Sequence, residues 1–440
     1  MRTRLWGAAV VLLAGLAAYG AFGQARGGDQ AADSAGIVGG WTGTWTKNGD
    51  ALPVTVTFES SPQGLTGHFD SDALQVAAIP FREVSATLPL VHFVLAGDST
   101  TTIFDGTLNG GVIEGSLAEG ATKGSFRMVR ERVMPSAISS SEVTFADGSV
   151  ALAGSLLLPA GAGPHPAIVF LQGSGPEGRW ANRYLAERFA KAGFAALIYD
   201  KRGVGQSTGD WHTSGFDELA GDAAAAVRFL RDRSEIDGAK IGIYGHSQGG
   251  TLAPLAALRA GHLAFVIGSA SGGIDPAEME EYSVGNSIGV NALPQSEAAE
   301  AKSFVHAIVD VAFRGKPRDE LNRSVAEFKG RPWYFDPPPP ESSYWSFSRL
   351  IAGYDPAVYW RQVKAPVLLL FGEKDERVPP DRSSRTIIAA LHAGGNDDVT
   401  LKTFPDADHT FELPAKTGGW PKHVADYADI LTAWALSKIR

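Results

Sequence analysis

The sequence contains no cysteine, and that one absence removes several possibilities. Neither a disulfide framework nor a thiolate metal site can be built. No cysteine follows the apolar run near the N-terminus, which excludes a bacterial-type lipoprotein anchor. The same lack is compatible with an oxidising compartment without demonstrating one. Excess positive charge is missing as well: 39 Lys and Arg are set against 48 Asp and Glu, for a net charge of -9. The basic residues are scattered, so nothing points to a nucleic-acid partner. Apolar and charged fractions of 44% and 20% are ordinary for a globular protein. At ~150 residues per domain, the 440 residues allow two or three domains.

The N-terminus has the pattern of a targeting segment. Arg2 and Arg4 precede an apolar run from Leu5 to Phe22, and Gly23-Gln24-Ala25 offers small residues around a cleavage point. We therefore expect a signal peptide over 1–25, a mature chain beginning near Arg26 and a flexible linker over 26–36. On that reading the protein is exported, periplasmic or secreted, and has no stable membrane insertion after cleavage. From 37 to 133 the signal changes to short strands separated by Gly, Asn, Asp and Pro. They include Trp41–Trp45, Val54–Phe58, Leu65–Phe69, Val91–Leu95, Thr102–Phe104, Val112–Ser116 and Gly124–Val129. Such strands predict an antiparallel sheet or small barrel. The Trp-Thr-Gly-Thr-Trp opening resembles the start of lipocalin-like β domains. His68 and His92 lie in this region without metal-ligand spacing.

A boundary is expected over 135–141, followed by a hairpin (Val143–Phe145, a turn at 146–149, Leu152–Leu158). Buried strands then alternate with helices. Ala167–Leu171, Ala195–Tyr199, Ile241–Tyr244, Leu263–Ile267, Val367–Phe371 and Val399–Phe404 read as strands, with helices over 181–192 and 216–232. Continuous apolar runs joined by helices predict a mostly parallel sheet covered on both faces, an α/β domain over 141–440. Nearly a hundred residues separate the strand ending near Gly268 from the one at Val367, too many for one crossover. This insertion, about 273–360, is predicted to be a cap with helices over 296–313 and 318–329. Its aromatic stretch (Trp333, Tyr334, Phe335, Tyr344, Trp345, Phe347) either lines a substrate pocket or packs the cap onto the main domain.

The stretch that organises the chain is Ile241-Gly-Ile-Tyr-Gly-His-Ser-Gln-Gly-Gly250. An apolar strand ends in G-x-S-x-G and an Ala/Leu-rich helix follows, which is the setting of a nucleophile elbow. Ser247 is the candidate nucleophile. A serine hydroxyl is weak until a base takes its proton and an acid orients that base. In such sheets the partners follow in the order Ser, Asp or Glu, His, each after a strand. Asp375, in Gly372-Glu-Lys-Asp-Glu-Arg377, is the candidate acid, ahead of its neighbours Glu373 and Glu376. His409, in Asp406-Ala-Asp-His409, is the candidate base. His246 neighbours Ser247 and is expected to point elsewhere; His423 is placed in the C-terminal helix. Backbone donors for a carbonyl oxyanion are expected from Gln248, after the nucleophile, and from Ser174 in Leu171-Gln-Gly-Ser-Gly-Pro176, with Gly173 the fallback.

GHSQGG, LQGSGP, YDKRGVGQSTG, GEKD and DADHTF together resemble the α/β-hydrolase superfamily. More narrowly, they look like exported bacterial esterases of the dienelactone-hydrolase-like and serine-aminopeptidase-like groups, some of which carry an N-terminal β domain. Relatives usually have His where this chain has Gln172, a departure that bears on how the oxyanion loop is braced. Asp200, Arg202 and Gly203 match a family turn that resembles a structural brace. The resemblance implies a serine carboxylesterase with a Ser247–His409–Asp375 triad, a small-molecule ester substrate and no cofactor or metal. Short-to-medium acyl esters are expected, from the aromatic cap and the lack of a recognisable charged specificity pocket. A peptidase or amidase on the same triad is one alternative. Another is a binding protein whose β domain holds an apolar ligand beside a vestigial hydrolase.

Overall fold

The computed structural model describes residues 36–97, 100–131 and 138–440. The expected signal peptide and all of the expected linker but Gly36 lie outside the described residues. The N-terminal region forms β1 (Gly39–Lys47), β2 (Asp50–Ser61), β3 (Gly64–Ser71), β4 (Val76–Pro80), β5 (Glu83–Thr87), β6 (Leu90–Ala96), β7 (Thr101–Asn109), β8 (Val112–Glu119) and β9 (Thr122–Arg130). They make one antiparallel sheet in the order β4-β3-β2-β1-β9-β8-β7-β6-β5. The sheet curls on itself. Trp45 of β1 packs 4.9 Å from Phe69 of β3 and 4.5 Å from Phe104 of β7, ring centre to ring centre. Phe58, Phe81, Phe93, Phe126 and Met128 fill the rest of the interior. It is therefore a core of aromatic side chains, as small barrels commonly have. The strands β4 and β5 carry little sequence signal, being short and rich in Ala, Ser and Thr.

One end of this core is closed by a residue from the far end of the chain. Trp420 is buried within the β-domain cluster, 6.2 Å from Trp45. The hairpin turn between β1 and β2, with Asn48 and Gly49 both at positive φ as tight two-residue hairpins require, holds the incoming segment. Asn48 Nδ2 donates to Gly418 O (2.9 Å). Asp50 accepts from Trp420 N at Oδ2 (2.9 Å) and from Trp420 Nε1 at its carbonyl (3.1 Å). The Lys47 ammonium, paired with Glu119 at 3.0 Å, lies 4.1 Å from the Trp420 ring centre.

The second sheet contains β10 (Ile138–Asp147), β11 (Val150–Pro159), β12 (His165–Leu171), β13 (Ala195–Tyr199), β14 (Ile236–His246), β15 (Phe265–Ser269), β16 (Val367–Gly372) and β17 (Val399–Phe404). Their order is β10-β11-β13-β12-β14-β15-β16-β17. The first two are antiparallel to their neighbours and the remainder run parallel. The β10 strand starts at Ile138, ahead of the boundary expected at 141. Ser139, Ser140 and Ser141 read as linker, yet they pair with Leu158, Leu157 and Leu156. Helices α1 (Arg183–Lys191) and α10 (Tyr427–Lys438) cover one face. The other is covered by α2 (Phe216–Arg231), α3 (Gln248–Ala260), α8 (Pro356–Trp360) and α9 (Pro380–Ala393). Between β15 and β16 the insertion builds a cap from α4 (Pro276–Ser287), α5 (Gln295–Ala312), α6 (Asp319–Phe328) and α7 (Ser343–Ile351), with its own apolar core. No helix among the described residues is long and apolar enough to cross a membrane.

Candidate active site

The chain leaves β12 for β13 on one side, then crosses back to β14 on the other. The carboxyl ends of strands at such a reversal form a crevice suited to a site. Ser247 stands there, one residue beyond β14, with φ 55° and ψ -117°, a strained conformation for a residue with a side chain. The strain is held from both sides: Ser247 N donates to Ser269 O and Thr251 N to Ser247 O, each at 2.9 Å. Small neighbours are obligatory. A Cβ on Gly245 would lie 2.2 Å from Gly249 O, and one on Gly249 would lie 2.8 Å from Gln172 O.

Asp375 follows β16 and His409 follows β17, and the structure brings both to Ser247. His409 Nε2 lies 2.9 Å from Ser247 Oγ. Its Nδ1 lies 2.9 and 3.0 Å from the two oxygens of Asp375. A carboxylate only accepts, so Nδ1 carries the proton and Nε2 is left to accept from the serine hydroxyl. Asp375 Oδ1 also accepts from Arg377 N and Val378 N, both at 2.8 Å, and Asp375 and His409 are both buried. Glu373 and Glu376 instead face solvent beside Lys374 and Arg377. The arrangement can activate Ser247 as a nucleophile and return its proton to a leaving group.

Two other histidines differ from their expected places. His246 lines the same pocket as Ser247, its ring 5.0 Å from that of His409 and its Nδ1 3.3 Å from Ser269 Oγ. Burial, with the nearby His409 and Arg377, pushes its pKa down to about 3, so it stays neutral. His423 is not helical. It lies in a two-residue strand, β19 (Lys422–His423), which pairs with β18 (Glu412–Leu413) three residues beyond His409. The Phe411 carbonyl receives Val424 N, and this turns the chain away before α10 begins.

Gln248 opens α3, so its N–H has no intrahelical acceptor; Ser174 lines the pocket beside it. Neither N–H finds an acceptor among the described residues. The Gly173 N–H is committed to the Glu177 carboxylate. Gln172 donates through Nε2 to Tyr199 O at 2.5 Å and ties the loop to β13.

Sequence reasoning missed the group that joins the two donor segments. Lys201 Nζ donates to the carbonyls of Gly173 and Gly175 (the latter at 2.7 Å) and lies 3.3 Å from Gln248 Oε1. Burial lowers its pKa to about 8, opposed by the charge of Glu177. Its neighbours in the motif are braces: Asp200 accepts a bidentate pair from Arg179, and Arg202 donates one to Asp222. Burial would raise the Asp200 pKa, but the Arg179 contacts outweigh it and hold the carboxyl below its usual range. The cap also reaches the acid loop, through Tyr282 OH to Asp375 O (2.7 Å) and Asn286 Nδ2 to Glu376 O (2.9 Å). None of these links leaves a local pattern in sequence.

A cavity of about 240 Å³ opens above Ser247. Only one of the two roles expected of the cap's aromatics is filled as stated, the other being replaced by packing inside the cap. Phe313, Tyr344 and Phe347 line the cavity, while Trp333, Tyr334, Phe335 and Trp345 pack within the cap itself.

A sheet of this order, with a serine elbow and with His and Asp on the following strand ends, defines an α/β-hydrolase. Residues 162–413, more than half of the chain, match the model of the serine aminopeptidase S33 family. The chain belongs to that family and is a hydrolase. It is 23% identical over 309 residues to esterase EstD of Thermotoga maritima, a match covering 68% of this chain and 66% of that protein's length. Among solved structures, an esterase from Pyrococcus furiosus is similar at 18% identity and TM-score 0.45, over 70% of this chain and 97% of that one. An acetyl xylan esterase from Paenibacillus sp. R4 is similar at 19% identity and TM-score 0.43, over 70% and 86%.

For Lys201→Met we expect kcat to fall about 10–100-fold with KM little changed, since a misplaced donor is felt mainly in the transition state. Because Lys201 is charged only below its pKa of about 8, wild-type kcat should decline as pH rises through that value. The variant should lack that limb. A pH profile of kcat for both proteins checks this.

Proposed function

We propose that the protein is a serine carboxylesterase acting on short-to-medium acyl esters. The observation that carries this reading is the unbroken hydrogen-bonded line from Asp375 through His409 to Ser247 Oγ. As Ser247 Oγ attacks the ester carbonyl, its proton passes to His409 Nε2, and Asp375 holds the resulting imidazolium. The N–H groups of Gln248 and Ser174 receive the oxyanion, each contributing roughly 3 kcal/mol to a transition state that builds charge there. His409 then gives its proton to the departing alkoxide, leaving an acyl-serine. Water, deprotonated by His409, attacks the acyl carbon, and collapse frees the acid and restores the serine hydroxyl.

The modest cavity and its apolar cap lining support small acyl groups, and the Thermotoga maritima relative is named an esterase. The family description, a serine aminopeptidase, favours a second reading, amide or peptide hydrolysis on the same residues. Hydrolysis of p-nitrophenyl acetate, butyrate and octanoate beside aminoacyl p-nitroanilides separates the two. We expect the acetate and butyrate to be turned over and the anilides to be poor. Faster anilide cleavage would establish the peptidase reading, and turnover confined to long-chain lipids would refute short-acyl specificity.

A further inference from the structure

Ester hydrolysis by the residues above leaves one group of the pocket without a role. Glu280 of α4 is 9% exposed and lines the cavity over Ser247. Its one hydrogen bond comes from Tyr344 OH of α7, which donates to Oε1 at 2.9 Å. The other oxygen has no partner among the described residues and is not sealed from the cavity. The cavity it shares is lined by the apolar Met279, Phe313, Phe347 and Ile351 and by Ser283 and Ser348. An ionised carboxyl buried without a cation is costly, so such groups become neutral or await a ligand. Burial lifts the Glu280 pKa to about 7 although the Tyr344 hydrogen bond pulls it down. The Tyr344 hydroxyl is itself pushed well above its ordinary range by burial and by Glu280, and so remains a donor. A neutral carboxylic acid in an apolar site is a directed donor. With Oε1 occupied by Tyr344, its remaining O–H is available to a bound molecule.

The other charged or titratable groups facing the cavity argue about what that molecule carries. Arg377 lines it from the acid loop, and His246 and His409 from the nucleophile side. Glu177 is already engaged by the Gly173 N–H and the charge of Lys201. A substrate cation would share this small space with Arg377 and, during turnover, with the His409 imidazolium, against a single carboxyl. An uncharged oxygen meets no such opposition. We propose that the substrate bears a second oxygen, an ether, keto or hydroxyl group in the part beneath the cap, and that Glu280, held by Tyr344, donates a hydrogen bond to it. This rests on the esterase reading and narrows its substrate class to oxygen-bearing acyl or alkyl esters.

The test compares kcat/KM for p-nitrophenyl 3-methoxypropanoate and the isosteric pentanoate, each divided by its rate of alkaline hydrolysis to remove the inductive effect of the ether. The wild type should favour the methoxy ester about tenfold at pH 6, the worth of one directed hydrogen bond, with the preference shrinking as pH rises through about 7 and Glu280 ionises. Glu280→Gln, which keeps a donor, should retain the preference and lose its pH dependence; Glu280→Leu should abolish it. Equal normalised rates for the two esters in the wild type at every pH would overturn the proposal. So would a preference for p-nitrophenyl 3-aminopropanoate over butanoate that Glu280→Gln removes, which would make this a cation site. Turnover of both esters without discrimination leaves the esterase reading standing. No turnover of any ester overturns both.

Discussion

Replacing Ser247 by alanine is expected to lower kcat toward p-nitrophenyl butyrate by ~10⁴–10⁶-fold, while the circular dichroism spectrum and melting temperature stay near those of the wild type. The size follows from the geometry. Oγ, 2.9 Å from His409 Nε2, is both the nucleophile and the source of the proton that His409 takes; without it only binding and the oxyanion donors remain. Asp375→Asn should cost about 10⁴-fold for a different reason. An amide at 375 can present its NH₂ to His409 Nδ1, which turns the imidazole to the tautomer carrying its proton on Nε2. The base then faces the serine as a donor. Arg377 N and Val378 N, which now both donate to Oδ1, would keep the asparagine in place, so the fold should survive. The double variant should be hardly slower than Ser247→Ala alone, because the three groups act as a unit. Steady-state kinetics on the four proteins, with organophosphonate labelling of the wild type, checks each step. An alanine variant that retained a tenth of the activity would remove Ser247 from the mechanism.

Trp420→Ala is expected to destabilise the folded chain by about 3–5 kcal/mol, the range for removing a large buried aromatic. The indole takes part in the β-domain core beside Trp45, so its loss opens a cavity in that core. The loss also leaves the Lys47 ammonium without the ring beneath it. Trp420→Phe should recover most of the stability and fall short by about 1 kcal/mol, the hydrogen bond from Nε1 to Asp50 O. Urea unfolding monitored by far-UV circular dichroism measures both. A Trp420→Ala variant as stable as the wild type would mean that the β domain and the hydrolase merely touch.

The parts of this protein that could be read from sequence are those whose determinants are local. The elbow is one: strand, glycine, serine, glycine and helix occupy ten consecutive residues, and steric crowding around Gly245 and Gly249 makes the small residues obligatory. Asp375 was legible because it closely follows β16, a continuous apolar strand buried on both faces. His409 follows β17, an exposed edge strand of mixed Val, Thr, Leu and Lys, and was legible from its place after the acid in the order Ser, Asp, His. Legibility ends where partners are remote. Lys201 binds carbonyls on a loop over two dozen residues earlier and a side chain over forty later, and nothing at position 201 announces either. Glu280 was invisible for the same reason: the cap offered no sign of a charged pocket, because an acidic residue on a polar-looking helix reads as solvated until the helix is docked. His423 lies just ahead of α10 in sequence, and only its pairing with Glu412, eleven residues earlier, takes it out of the helix. Strands β4 and β5 escaped notice since Ala, Ser and Thr leave no alternation to detect, and their pairing is decided by neighbours in the sheet.

The burial of Trp420 also has a consequence for how the molecule is made. A polypeptide is synthesised from its N-terminus, and domains tend to fold as they emerge. The nine strands of the first domain are complete by Arg130, yet Trp420, which joins their aromatic interior, arrives only after all eight strands of the second sheet have been added. Until then the curled sheet lacks the indole that packs beside Trp45, and Trp45 and its neighbours are left reachable by water, by a chaperone or by another unfinished chain. Its completion therefore reports that the hydrolase has been made past the loop that carries His409. A truncated product, stopped anywhere short of that point, would keep the uncovered aromatics that mark it as incomplete.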